Sequence, residues 1–307
     1  MLSLSSSSLL RLLRSLAEQA GSDTGMLPAV GTTARLKIRH DIQRFFDLTP
    51  EQVETLLPDS AVSLDEWGAA LSAKSSSFST LWLYELSADG AFSFELPEQH
   101  HHHAEALCDE AKALQQLLCP AATASRTLVH WLSPQTVSGF MFTMLLPEQA
   151  GWRSLSLFDH ANALQTLMPG DAVVTSAEGW HQLAQRFPSL PMNVTAIATE
   201  PLAVKTYRTL LAKGVSQVIE LHCQPEIGTI AARRSQQAPF ELLPHWHPTE
   251  SDDCLLRMTH GGEPEEIKLS QPLHWVGGRH FLAAPPTDNA PARLGKHSAA
   301  SHRISAA

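Results

Sequence analysis

At 307 residues the chain can bury a full hydrophobic core, as one large α/β domain or two smaller ones, without disulfide or metal staples. With 22 Lys and Arg against 31 Asp and Glu, its formal charge of −9 excludes the basic footprint of a nucleic-acid binder and of a protein drawn to anionic membrane surfaces. The four cysteines, Cys108, Cys119, Cys223 and Cys254, form no C-x-x-C pair, the pattern of reduced thiols rather than of a disulfide framework or a structural zinc site.

In chain order, MLSLSSSSLLRLLRSLAEQAG comes first. Its leucines, Leu9, Leu10, Leu12, Leu13 and Leu16, are broken by arginines, so it lacks the apolar core of a signal peptide and predicts a short amphipathic helix, an arm over 1–24. No window approaches the roughly 18 consecutive apolar residues of a membrane span, and the expected location is cytoplasmic. After a polar link, LTPEQVETLLPD places Thr49 before Pro50 and Glu51, a capped helix start. Short β-rich runs at 80–87, 127–133, 171–177, 193–200 and 218–222 then alternate with helical patterns at 98–118, 138–147, 158–168, 178–187 and 201–213. That alternation predicts βαβ units in an α/β core over 25–233, a mostly parallel sheet with flanking helices. Beyond Arg233 two Gly-Gly turns sit between alternating apolar and polar positions, predicting antiparallel hairpins in a smaller β subdomain over 234–284. Residues 285–307, rich in Pro, Ala, Ser and His without periodicity, read as a disordered tail.

Chemistry is sparse along this frame. In VIELHCQPEIGTIAAR, 218–233, a strand empties into a polar turn with one carboxylate, Glu226. Ligands of open α/β sheets sit at the carboxyl ends of strands, so a lone acid there admits a metal or phosphate; it equally admits a plain cap for the turn. His100 to His103 are expected in the solvated first turn of the helix that carries Leu107, Ala111, Leu114 and Leu118. There, consecutive residues fan out at about 100° each and cannot converge on one ion. His245 and His247 share one face of a strand, and with His222 and Cys223 they outline a metal-dependent hydrolase that lacks a third ligand at a recognisable spacing. Neither a G-x-S-x-G elbow nor a G-x-G-x-x-G fingerprint is present; the first strand is followed by ELSADGAFS, with the single glycine Gly90.

Taken in order, these loops resemble the N-terminal domain of the adenylate-forming carboxylate ligases, which include acyl-CoA and 4-coumarate-CoA synthetases, over roughly residues 56–295. The phosphate loop T-S-G-S-T-G-x-P-K corresponds to 85–93, S-H-H-I-Y-G-F-L-F to PQTVSGFMF, Y-G-S-T-E to HCQPE, and the run ending in the hinge to 269–295. The resemblance implies ATP or AMP and Mg²⁺ as cofactors, with Glu226 helping to hold the magnesium. It implies nucleotide-binding positions at Ser87, Asp89, Gly90, His222 and Gln271, and an acyl pocket lined by Phe140, Met141, Phe142 and Ala198. These motifs are degenerate. Ser87 replaces a loop glycine, Glu85 and Asp89 replace threonines, and Ser93 replaces the lysine. Two like charges at 4 Å repel by about 4 kcal/mol at an effective dielectric of 20, which disfavours a triphosphate. His222 stands for the tyrosine that flanks the nucleotide, Gln271 for the ribose-binding aspartate, and Pro286 for the hinge arginine. The chain also ends about where the mobile C-terminal domain of the family begins. The implied function is therefore a truncated pseudo-ligase without adenylation, which binds an acyl or aryl carboxylate or a partner protein and has no assignable catalytic residue. The alternative is an active or trans-complemented carboxylate-adenylating ligase of a biosynthetic pathway.

Overall fold

The computed structural model describes residues 2–22, 25–84, 98–119, 126–160, 162–258 and 263–282. The leucine spacing near the start builds α1 (Ser6–Gln19), whose N-cap Ser5 accepts a hydrogen bond from the Ser8 N–H and whose face of Leu9, Leu12, Leu13 and Leu16 is buried. Three more helices follow: α2 (Thr33–Phe45), α3 (Pro50–Leu56) and α4 (Leu64–Lys74). The cap expected at Thr49 is a reciprocal box, with the Gln52 N–H donating to Thr49 Oγ1 (3.3 Å) and the Thr49 N–H to Gln52 Oε1 (2.8 Å). Because α1 packs on α4 and α2, the segment expected to be an arm is built into the main core.

The first strand does not join the large sheet. β1 (Thr80–Tyr84) pairs antiparallel with β2 (Gln99–His103) in a separate two-stranded ribbon, and α5 (Ala104–Leu118) begins immediately afterwards. The four histidines are thus a strand and not a helix turn. A histidine run has little helical preference of its own, and the exposed ladder of β1 supplies the hydrogen bonds that decide between the two.

The remaining strands build a nine-stranded sheet. On its parallel side are β3 (Thr127–Trp131), β4 (Arg153–Ser156), β5 (Ala172–Thr175), β6 (Thr195–Ala198) and β7 (Gln217–Gln224). Their crossovers hold α6 (Val137–Phe140), a π-helical turn at Met141–Leu145, α7 (Leu146–Ala150), α8 (Ala177–Arg186) and α9 (Val204–Ala212). Where a helix is expected at 158–168, the described residues hold a 3₁₀ turn, Ala163–Thr166. The chain then turns back through β8 (Gly228–Arg233) and β9 (Phe240–Leu242). β10 (Trp246–Pro248), β11 (Cys254–Arg257) and β12 (Glu265–Lys268) form their own antiparallel sheet, after which β13 (His274–Gly277) and β14 (His280–Leu282) return to the large one. Its order is β13-β14-β9-β8-β7-β6-β5-β3-β4. The mostly parallel sheet with flanking helices and a smaller antiparallel sheet is thus present, but the boundary expected at 233 runs through the large sheet, because β8 pairs with β9. Of the two Gly-Gly turns, Gly277 and Gly278 close the β13–β14 hairpin at φ of +135° and +55°; the other, like the expected tail, lies outside the described residues.

Strand alternation divides the core. Leu128, Val174, Ile197, Ile219 and Leu221 face α1 and α5, whereas Val129, Val173, Ala196, Ala198 and Val218 face Trp180, Leu183 and Leu210 of α8 and α9. No helix among the described residues is long and apolar enough to cross a membrane.

Candidate functional site at the carboxyl end of β7

Strand β7 leads from a buried ion pair to the turn that carries Glu226. Glu220 is fully buried; one oxygen accepts from Arg233 Nε (2.6 Å) and the other from the Leu202 N–H (2.6 Å). The Arg233 guanidinium in turn lies 4.5 Å from the centre of the Phe240 ring. Two residues on, the His222 ring sits 5.6 Å from Phe240 and 5.2 Å, edge-on, from Phe281, and those two phenyl rings stack at 5.7 Å. Burial, helped by the Arg233 charge, pushes the His222 pKa down to about 4, so the ring is neutral at pH 7. A bulge between His222 and Cys223 then shifts the register against β8.

The turn itself is held by three distant segments. His102 Nε2 meets the Pro225 carbonyl at 2.9 Å, Glu226 Oε1 accepts from the Ser270 N–H at 3.2 Å, and Glu110 Oε1 of α5 accepts from the Thr229 N–H at 2.8 Å. Gly228 takes φ of +95° directly over the Glu110 carboxylate, where a Cβ would collide with it. Burial pushes the Glu110 carboxyl up to about 7, against the opposing pull of the Thr229 hydrogen bonds. Burial likewise pushes the Cys223 thiol up to about 12, next to the Thr229 hydroxyl at 3.4 Å, so the thiol keeps its proton near neutral pH.

Chemically, this corner offers one half-buried carboxylate at a strand end, a packed neutral imidazole and a protonated thiol. In kind, Glu226 suits magnesium, which takes one or two carboxylates together with phosphate oxygens. The His222 ring is partly buried and in contact with Phe240 and Phe281. Gln271 is exposed beside Ser270. Ser87, Asp89 and Gly90 lie outside the described residues, as do Glu85, Ser93 and Pro286.

The other expected site residues scatter. Phe140, Met141 and Phe142 are fully buried in the core beneath α1, and Ala198 is buried on the opposite face of the sheet, so the four do not share one wall. His245 packs on Trp246 at 5.3 Å, and His247 Nδ1 lies 3.4 Å from Arg279 Nη1. Among the described residues no group of three or more His, Cys, Asp or Glu side chains is placed to hold a metal, so His222, Cys223, His245 and His247 do not form a hydrolase centre. A cleft of about 530 Å³ does open between α1 and β4, lined by Ser8, Arg11, Arg14, Glu148, Asp159 and His160 among others. Four strand spacings, about 19 Å, separate β4 from β7.

Sequence reasoning missed Glu110, His102 and Ser270 as supports of the turn. For Glu110 a signal existed: it falls on the apolar stripe of Leu107, Ala111 and Leu114, where an acid must find a partner.

No protein-family model matches the chain. Over 156 residues, 50% of its length, it is 33% identical to 38% of a 4-coumarate-CoA ligase from Rhodobacter capsulatus. Over 216 residues, 69% of its length, it is 27% identical to 52% of a 4-coumarate-CoA ligase from Halorhodospira halophila. The chain thus spans about half or less of the curated relatives it matches. Among solved structures, an acyl-CoA synthetase (AMP-forming)/AMP-acid ligase II-like protein from Dyadobacter fermentans shares the fold at a TM-score of 0.50 and 14% identity, over 69% of this chain and 61% of that one.

Proposed function

We propose that this chain, whose resemblance to the adenylate-forming carboxylate ligase superfamily holds in sequence and in fold, is an acyl-CoA-ligase-like scaffold without ATP-dependent adenylation. It works by binding an acyl or aryl carboxylate or a partner protein. The observation that carries this reading is His222, a partly buried imidazole in contact with Phe240 and Phe281 at the position where the family resemblance puts a nucleotide-flanking tyrosine. The acidic substitutions at 85 and 89 point the same way, since adenylation depends on donors that neutralise developing phosphate charge.

Calorimetric titration of the full chain with MgATP tests the proposal. No binding tighter than about 100 μM, or about −5.5 kcal/mol, is expected, and tighter binding overturns it. A thermal-shift screen of aromatic and medium-chain acids separates the two modes of action: stabilisation at millimolar ligand supports carboxylate binding, and its absence removes that mode.

One observation favours the second reading, an active or trans-complemented ligase. Glu226 stands at the carboxyl end of β7, where an open sheet places its ligands, and would supply one carboxylate to magnesium beside the phosphates of ATP.

A further inference from the structure

The run of four histidines changes meaning once it is a strand. In β2 alternate side chains share a face, so the run splits into two pairs with different environments. His102 turns inward, is buried, and is engaged with the Pro225 carbonyl. His101 and His103 turn outward, are exposed, and hold their ring centroids 5.3 Å apart at 80°. Two imidazoles about 2.1 Å from one tetrahedral ion place their centroids about 5 Å apart, so the outward pair already has chelating separation.

We propose that His101 and His103 bind a divalent transition-metal ion of the imidazole-favouring kind, such as zinc, copper or nickel, with water completing its coordination. The ribbon preorganises the pair. Strand β1 fixes the backbone of β2 in register, Trp82 lies directly opposite His101 with its ring 5.0 Å away, and Thr80 lies opposite His103. Beside that end, the Thr80 hydroxyl donates to Asp47 Oδ2 at 3.1 Å, which brings an acid into the neighbourhood without making it a ligand. Imidazole is the shared preference of these ions, whereas magnesium and calcium, which favour oxygen, are excluded. The ion would occupy the face of β2 opposite His102, one residue from the contact that fixes the Glu226 turn. The proposal is independent of whether the chain adenylates.

The test uses the full chain, titrated separately with Zn²⁺ by calorimetry and with Cu²⁺ by tryptophan quenching. His101→Asn and His103→Asn are each expected to weaken the tightest site at least tenfold, and His100→Asn less than twofold. The first phase of Cu²⁺ quenching should fall sharply in Trp82→Phe. Because both targets are exposed, His101→Asn and His103→Asn should keep the wild-type unfolding midpoint, while Zn²⁺ raises that midpoint in the wild type and in His100→Asn but not in those two variants. Equal affinity in all four proteins, an equal loss in His100→Asn, or full quenching in Trp82→Phe would overturn the assignment.

Discussion

Replacing Glu110 by Gln tests the corner that supports the β7–β8 turn. The Glu110 carboxyl is buried under Gly228, with the Thr229 N–H as its donor, and is held at about 7 where an exposed glutamate stands at 4.5. In the folded state it therefore keeps its proton over a pH range in which the unfolded chain has lost it. Folding takes up a proton in that range, so stability is full below the unfolded pKa of 4.5, falls as pH rises, and levels off above the folded value of about 7. The loss amounts to about 3 kcal/mol, a large fraction of the stability of a typical domain. Glutamine keeps the acceptor for Thr229 and cannot ionise, so the variant escapes the loss. Buried histidines act in the opposite sense at lower pH: His102, His222 and His245 are held near 4 and His130 near 3 by burial, so each removes stability as pH falls below its unfolded value of 6.5. Urea unfolding of both proteins from pH 4.5 to 8.5 cancels those histidine contributions in the difference. The variant's advantage should grow by about 3 kcal/mol between pH 4.5 and 8. A difference that stays flat across that range would refute the buried, proton-retaining carboxyl.

Two further substitutions probe the packing on which the site stands. Gly228→Ala combines a positive φ with a collision against Glu110 and should destabilise by about 2 kcal/mol or more in the same urea assay; a change under about 0.5 kcal/mol would mean that the turn and α5 are not in contact. Leu12→Ala, at a fully buried position of α1, should lose about 2–5 kcal/mol, whereas a loss under about 0.5 kcal/mol would mark the first helix as a peripheral arm after all.

Where a segment's own residues decide its structure, the sequence was legible. Thr49 and Pro50 announce a capped helix, Gly277-Gly278 a hairpin, and Val173-Val174 and Val218-Ile219 strands buried on both faces. Illegible segments take their structure from distant partners. Arg153–Ser156 is too polar to read as a strand and becomes one because β3 offers a ladder beside it. The histidines of β2 are likewise drafted by β1, and β9 and β14 join the large sheet through pairings that no local pattern encodes. The site divides in the same way. Glu226 stands out as a lone acid after a strand, but its surroundings are set by Glu110, His102 and Ser270, more than forty residues away in sequence. The acyl-pocket candidates implied by the family resemblance are fully buried in the core, the commoner fate of Phe and Met.

Pyrophosphate release from MgATP, assayed on the full chain with a panel of aryl and medium-chain acids, addresses the loss of adenylation most directly. Release no faster than in the protein-free control is expected with every acid, and sustained release that depends on both the protein and an acid would contradict it.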